Sequence, residues 1–232
     1  MQRKITFSSE LAYLLAVLIM SFSVAMVAAS DFGVSMIVGP AYILSLAVEG
    51  LTFGQSEYVV QGILFILFCL LIRSIKPIYF VSFFTALFYG AALDLWRLLI
   101  PAFNPAVVTP GSQAMPLRIF YFACGTLITA FSVALCFKTY IYPQVYDYFV
   151  KGVAGHFKKD RTKFKIFFDA LFFTLSLVMT LILFSGCIEG IGIGTIITTL
   201  VNGLLIGGAE KLLDRFCTFK ATFPKLEKMF TW

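Results

Sequence analysis

The chain has 232 residues, of which 60% are hydrophobic and only 13% charged, about half the charged share of a soluble domain. That balance excludes a water-soluble fold and argues against a nucleic-acid partner, even with a net charge of +6. Five cysteines (Cys69, Cys124, Cys136, Cys187, Cys217) form neither a CxxC pair nor zinc-ligand spacing, so no disulfide, metal or other cofactor is expected.

Taken in order, the apolar segments are Leu11 to Ala29, Val34 to Val48, Tyr58 to Ile72, Ile78 to Ile100, Ile119 to Phe137, Ile166 to Phe184 and Ile191 to Ala209. Most are long enough to cross a hydrocarbon core of about 30 Å as a helix. The first follows Arg3 and Lys4 and ends in Val27-Ala28-Ala29-Ser30, which imitates a cleavable signal. Its apolar run is long for that purpose and reads as a retained span. The second has only 15 residues and contains Gly39-Pro40, which interrupts a helical hydrogen-bond ladder. It reads as a re-entrant or interfacial element.

Cationic side chains collect on cytoplasmic flanks. Six spans with the N-terminus inside place 16 of the 18 Lys and Arg residues in cytoplasm: Arg3, Lys4, Arg73, Lys76, the run from Lys138 to Lys165, and the tail from Lys211 to Lys228. Only Arg97 and Arg118 fall outside. Were Val34 to Val48 to span, the basic segment Lys158 to Lys165 would face outward. The reading is therefore a multi-pass protein of the cell (cytoplasmic) membrane with both termini in the cytoplasm, its basic inner segment attracted to anionic lipid.

The fold class expected is an all-α membrane protein, with six transmembrane helices as two three-helix inverted repeats, each with a short re-entrant or interfacial helix. One membrane domain covers residues 1–232: repeat one about 10–99, an external loop about 100–117, repeat two about 118–214, and a cytoplasmic tail 215–232. The repeats share a segment order and one short motif, Thr85-Ala86-Leu87-Phe88-Tyr89-Gly90 against Thr198-Thr199-Leu200-Val201-Asn202-Gly203. Three spans per repeat is an odd number, so the second repeat enters from the opposite side.

Four constellations could carry function. Ser30-Asp31-Phe32-Gly33-Val34-Ser35 breaks the chain after the first span. Asp31 and Ser35 are candidate substrate or ion ligands if that break lies at membrane depth, and Asp31 is an ordinary helix cap if it does not. Gly186-Cys187-Ile188-Glu189-Gly190-Ile191-Gly192-Ile193-Gly194-Thr195 opens the last segment, where Glu189, Gly192, Gly194 and the later Asn202 are further candidates. The alternative there is close helix packing with a structural Asn hydrogen bond. Asp94 and Arg97, three apart on one helical face, form a candidate gate pair or snorkel to the interface beside Trp96. Tyr140 to Phe149, with Pro143 and four tyrosines, reads as an interfacial amphipathic helix or a second re-entrant element whose Tyr and Gln side chains approach the site from inside. His156, next to the basic run, reads as a surface group.

Asp31-Phe32-Gly33-Val34-Ser35, together with Gly190-Ile191-Gly192-Ile193-Gly194-Thr195, resembles the YczE/YitT-like family of prokaryotic membrane proteins. Met36-Ile37-Val38 stands where that family often has Pro-Trp-Asp. The resemblance implies a bacterial cytoplasmic membrane and says little about substrate. The function expected is a secondary transporter or permease for a small solute or coupling ion, without enzymatic chemistry because no nucleophile or metal spacing is present. The alternatives are a non-transporting regulatory, lipid-interacting or assembly protein, and the substrate-binding subunit of a larger importer. Expected partners are the lipid bilayer, a small-molecule solute or coupling ion, and a second copy or another membrane protein.

Overall fold

A computed structural model describes residues 5–76, 78–109, 111–141, 144–224 and 227. Arg3, Lys4, Tyr142, Pro143, Lys225 and Lys228 lie outside that set. Six helices are long and apolar enough to cross a membrane: α1 (Ser9–Ala29), α3 (Phe53–Ile72), α4 (Tyr79–Leu99), α5 (Met115–Phe137), α7 (Arg161–Leu183) and α8 (Ile193–Phe216). Two short helices, α2 (Gly39–Ala47) and α6 (Val145–His156), follow the first and fourth of them. The chain is thus an integral membrane protein with six long apolar helices, and Val34 to Val48 does not supply a seventh.

Local chemistry sets the boundaries. Helix α3 starts at Phe53, five residues ahead of the apolar run, because Thr52 and Gln55 form a reciprocal capping box, satisfying donors that would otherwise be orphaned. Asp160 caps α7 by accepting from the Lys163 N–H at 2.8 Å. Pro40 sits in the first turn of α2, where its missing N–H costs nothing.

Helices α1 and α5 form the central pair. Gly125 lets α5 approach so closely that an added Cβ would meet Val27 and the Ser23 carbonyl, and Thr129 donates to the Ser23 hydroxyl at 2.8 Å. Small residues at such a contact replace the hydrophobic drive that lipid removes. Helix α4 packs on α1, and α8 on α5. Helix α2 lies against α3 and α7, while α6 lies against α7 and α3. Helix α4 also packs on α3 and α6, whereas among the described residues α8 makes no comparable contact with α7 or α2.

The chain ends meet, which the sequence reading did not foresee. Strand β1 (Ile5–Ser8) pairs in parallel with β2 (Cys217–Lys220), Thr6 opposite Thr218. Glu10 accepts from the Thr222 and Phe223 N–H groups, both at 2.9 Å, and from Tyr140. Burial and that carboxylate push the Tyr140 phenol up to about 12. Both ends therefore lie on one side of the bundle, as an even number of spans requires, and part of the expected tail is strand.

The short helices both start within the helical layer. Gly39 of α2 seats against Ser176, about two turns before the end of α7, and α2 then runs to Leu46 beside Gly190. The Val145 N–H at the start of α6 donates to Gln61, about two turns into α3, and Gly152 packs on Phe68 farther along. Helix α2 thus leads away from the chain-end side and α6 toward it. Buried Tyr146, Tyr148 and Phe149 rule out an amphipathic helix lying flat on the surface here.

Candidate functional site

The two glycine-rich breaks cross each other. The Gly194 N–H donates to the Phe32 carbonyl at 2.8 Å, and the Val34 N–H to the Gly190 carbonyl at 3.4 Å, an antiparallel pairing of two extended segments. Gly33 has φ +94°, and a Cβ there would run into the Gly192 backbone; one on Gly192 or Gly194 would run into the Phe32 carbonyl. Glycine is needed for conformation at Gly33 and for space at all three. Gly192 and Gly194 therefore build the crossing rather than bind a ligand through side chains.

Arg118 closes this crossing from the side. Its Nε donates to the Ser30 carbonyl at 2.9 Å, and its terminal nitrogen to the Asp31 carbonyl at 3.0 Å and carboxylate at 3.1 Å. The guanidinium also lies 4.8 Å over the Phe32 ring, which stands edge-on to Phe122. Arg118 thereby caps the C-terminus of α1, where a cation is favoured. Asp31, with φ +56°, is exposed at this rim and does not reach the interior.

Beneath the crossing lies a cavity of about 20 Å³, lined by Val24, Val27, Val34, Ser35, Val38, Thr126, Thr129, Thr198 and Asn202, room for about one water molecule. Ser35 and Asn202, expected from opposite halves of the chain, meet here. Asn202 Oδ1 and Thr126 Oγ1 are both buried without a partner among the described residues. An orphaned acceptor and hydroxyl at one cavity cost stability unless something polar binds there. Among the described residues, no ionisable side chain lines this cavity.

One turn along the same face of α8, Ile206 lines a far larger vestibule of about 1110 Å³. Its walls are α5, α6, α7 and α8, with Asp147, Lys151, Arg161, Lys165 and Glu210 around Gly203 and Gly207. It occupies the gap between α7 and α8, toward the side where the chain ends meet.

The remaining candidates fall elsewhere. The Glu189 side chain is exposed, and its backbone is tied to Thr180, whose Oγ1 accepts from the Glu189 N–H at 2.8 Å and donates to its carbonyl at 3.0 Å. It is not part of the cavity, because the Gly186–Gly192 segment turns outward there. Asp94 and Arg97 share a helical face yet form no ion pair among the described residues. Asp94 accepts from the Thr52 hydroxyl at 2.5 Å and the Gly54 N–H at 2.8 Å, capping α3. Arg97 donates to the Phe103 carbonyl at 3.4 Å and stands 5.5 Å from the Phe53 ring. Each charge is satisfied by a separate loop, so the pair is structural in this conformation. His156 is exposed beside Phe157.

A second polar cluster escaped the sequence reading. Glu57 of α3 is fully buried. Its Oε2 accepts from Gln61 Nε2 and from the Tyr146 hydroxyl, both at 2.9 Å, while Oε1 has no partner among the described residues. The available signal was an acidic and an amide residue four apart on an otherwise apolar helix. It was hidden because the apolar run begins at Tyr58.

A family model described as a family of unknown function (DUF6198) matches residues 7–211. The chain belongs to that family. No curated protein and no solved structure matches it.

Proposed function

We propose that this protein is a secondary carrier or permease for a small, uncharged polar solute. The observation that carries the reading is the meeting of Ser35 and Asn202 in one cavity, with the unpaired Asn202 Oδ1 and Thr126 Oγ1, next to a wide vestibule. Hydroxyls and a carboxamide without ionisable neighbours suit a neutral solute, since a charged one would lack a counter-charge there.

The helix contacts support two inverted repeats. Exchanging α1 with α5, α2 with α6 and α3 with α7, and α4 with α8, turns each of the α1–α4, α2–α3 and α2–α7 contacts into another that is present. The exchange fails at two contacts: α4 packs on α3 and on α6, but among the described residues α8 makes no comparable contact with α7 or α2. In the proposed cycle the two seams trade states, as inverted repeats do when they alternate access. The crossing of residues 32–34 with 190–194 seals the far side while the vestibule is open. Charge placement supports a vestibule that faces the cytoplasm, and the YczE/YitT-like resemblance supports a bacterial cytoplasmic membrane.

A thermal-shift screen of purified protein against neutral polar solutes tests this reading. Stabilising solutes should lose their effect in Asn202→Leu and Thr126→Val and enter proteoliposomes only with the unsubstituted protein. If no solute stabilises the protein and a stable protein partner co-purifies instead, the regulatory alternative replaces it.

A further inference from the structure

We propose that Glu57 is a proton-binding site whose occupancy locks α6 and the closed α3–α4 seam. A coupling role for this proton rests on the carrier reading; the proton site itself rests on the geometry of the cluster.

Helices α4, α2 and α6 pack on α3. Helix α4 presents Tyr89, fully buried beside Gln144, and one turn farther out Asp94, already occupied by Thr52 and Gly54. Helix α6 presents Tyr146 and α2 presents Tyr42, which packs on Phe53. Arg97, farther along α4, is directed to the Phe103 carbonyl and the Phe53 ring. Glu57 takes part in none of the ion pairs among the described residues. A carboxylate sealed from water without a counter-charge is strongly disfavoured. A proton on Oε1, the oxygen without a partner, removes the charge while Oε2 keeps both of its hydrogen bonds.

The position of the cluster ties that proton to movement. Helix α6 carries Tyr146 to Glu57 on one face and lines the vestibule with Asp147 and Lys151 on another. Gly54 and Gly90, which let α3 and α4 touch, lie one turn from Glu57 and next to Tyr89 respectively. Withdrawal of α6, or parting of α3 from α4, admits water. The carboxylic acid then gives its proton to that water and becomes a carboxylate. Reclosing requires the proton back.

Infrared difference spectra of the full chain in lipid nanodiscs at neutral pH test the site without any solute. Glu57→Gln should remove a carbonyl stretch of a protonated carboxylic acid, and Tyr146→Phe should move that band to higher frequency by deleting one hydrogen bond. Loss of an ionised-carboxylate band in Glu57→Gln instead overturns the proposal. Hydrogen exchange across Val145–His156, corrected for its intrinsic pH dependence, should show opening that rises about tenfold per pH unit between the ordinary carboxylate range of the opened Glu57 and the higher midpoint of the sealed one, and no such rise in Glu57→Gln. A flat wild-type profile, or opening that follows sodium at fixed pH, also overturns it. Should Glu57→Gln not fold, the Tyr146→Phe shift and the wild-type titration still decide. A failed solute screen would remove the carrier reading and leave these outcomes untouched.

Discussion

The seam between α3 and α4 joins the last two long helices before the 100–114 loop, the gap between α7 and α8 separates the last two long helices of the chain, and the two differ in what surrounds one glycine. In the first, Gly90 meets α3 so tightly that a Cβ would strike Tyr58 and the Gly54 carbonyl. In the second, Gly203 occupies the matching position of the shared Thr-x-Leu-x-x-Gly motif and lines the vestibule, and a Cβ added there would meet no other helix within 4 Å among the described residues. The same small residue is a packing surface on one side and open floor on the other.

The largest expected effect breaks this comparison directly. Gly90→Val should destabilise the fold by about 3 kcal/mol, the upper end of overpacking costs, read as a lower midpoint in denaturant titration of purified protein. Gly203→Val should change stability by about 0.5 kcal/mol or less yet halt solute flux in proteoliposomes. Equal stability losses at the two glycines would remove the distinction between the seams.

Next comes the crossing that seals the far side. Gly33→Ala adds a side chain at φ +94° and presses it on the Gly192 backbone, so a loss of about 2 kcal/mol is expected. Unchanged stability there would mean that the crossing does not hold the breaks together. Asp94→Ala should cost about 1 kcal/mol, the worth of a helix cap, with increased hydrogen exchange confined to the first turn of α3. Asp94→Asn should recover part of it by keeping an acceptor. The smallest effect belongs to the Arg118–Asp31 pair. Asp31 is 39% exposed, so Asp31→Asn should cost only a few tenths of a kcal/mol and become undetectable at high salt. Arg118→Leu should cost more, because the Ser30 and Asp31 carbonyls lose their donor as well.

Orientation can be tested with native cysteines. Cys187 is exposed near the crossing, whereas Cys136 is buried at the vestibule wall. A membrane-impermeant maleimide applied to intact cells should label Cys187 alone. Labelling of a cysteine introduced between Lys158 and Lys165 under the same conditions would reverse the topology.

Ser35 and Asn202 were legible as candidates because a polar residue inside an apolar segment is conspicuous in any sequence. Thr126, Thr129 and Thr198 were not, since threonine is common in such helices and only the close approach of α1, α5 and α8 gathers their hydroxyls. Glu189 shows the reverse error. A carboxylate in a glycine-rich break looks like a ligand, but Thr180 holds its backbone so that the side chain faces outward.

By itself the sequence determined what depends on solvent and on covalent order. Hydrophobic length gave six long helices, and the distribution of Lys and Arg chose six spans over seven, an even count that agrees with the pairing of β1 and β2. Tertiary structure decided which surfaces face each other: that α2 and α6 start inside the layer, that residues 32–34 pair with 190–194, that Glu57 is sealed against Tyr146, and that α7 stands away from α8. Those outcomes turn on side-chain volume at helix contacts, where one glycine can seat a neighbour or leave a gap, and composition carries no trace of which will occur.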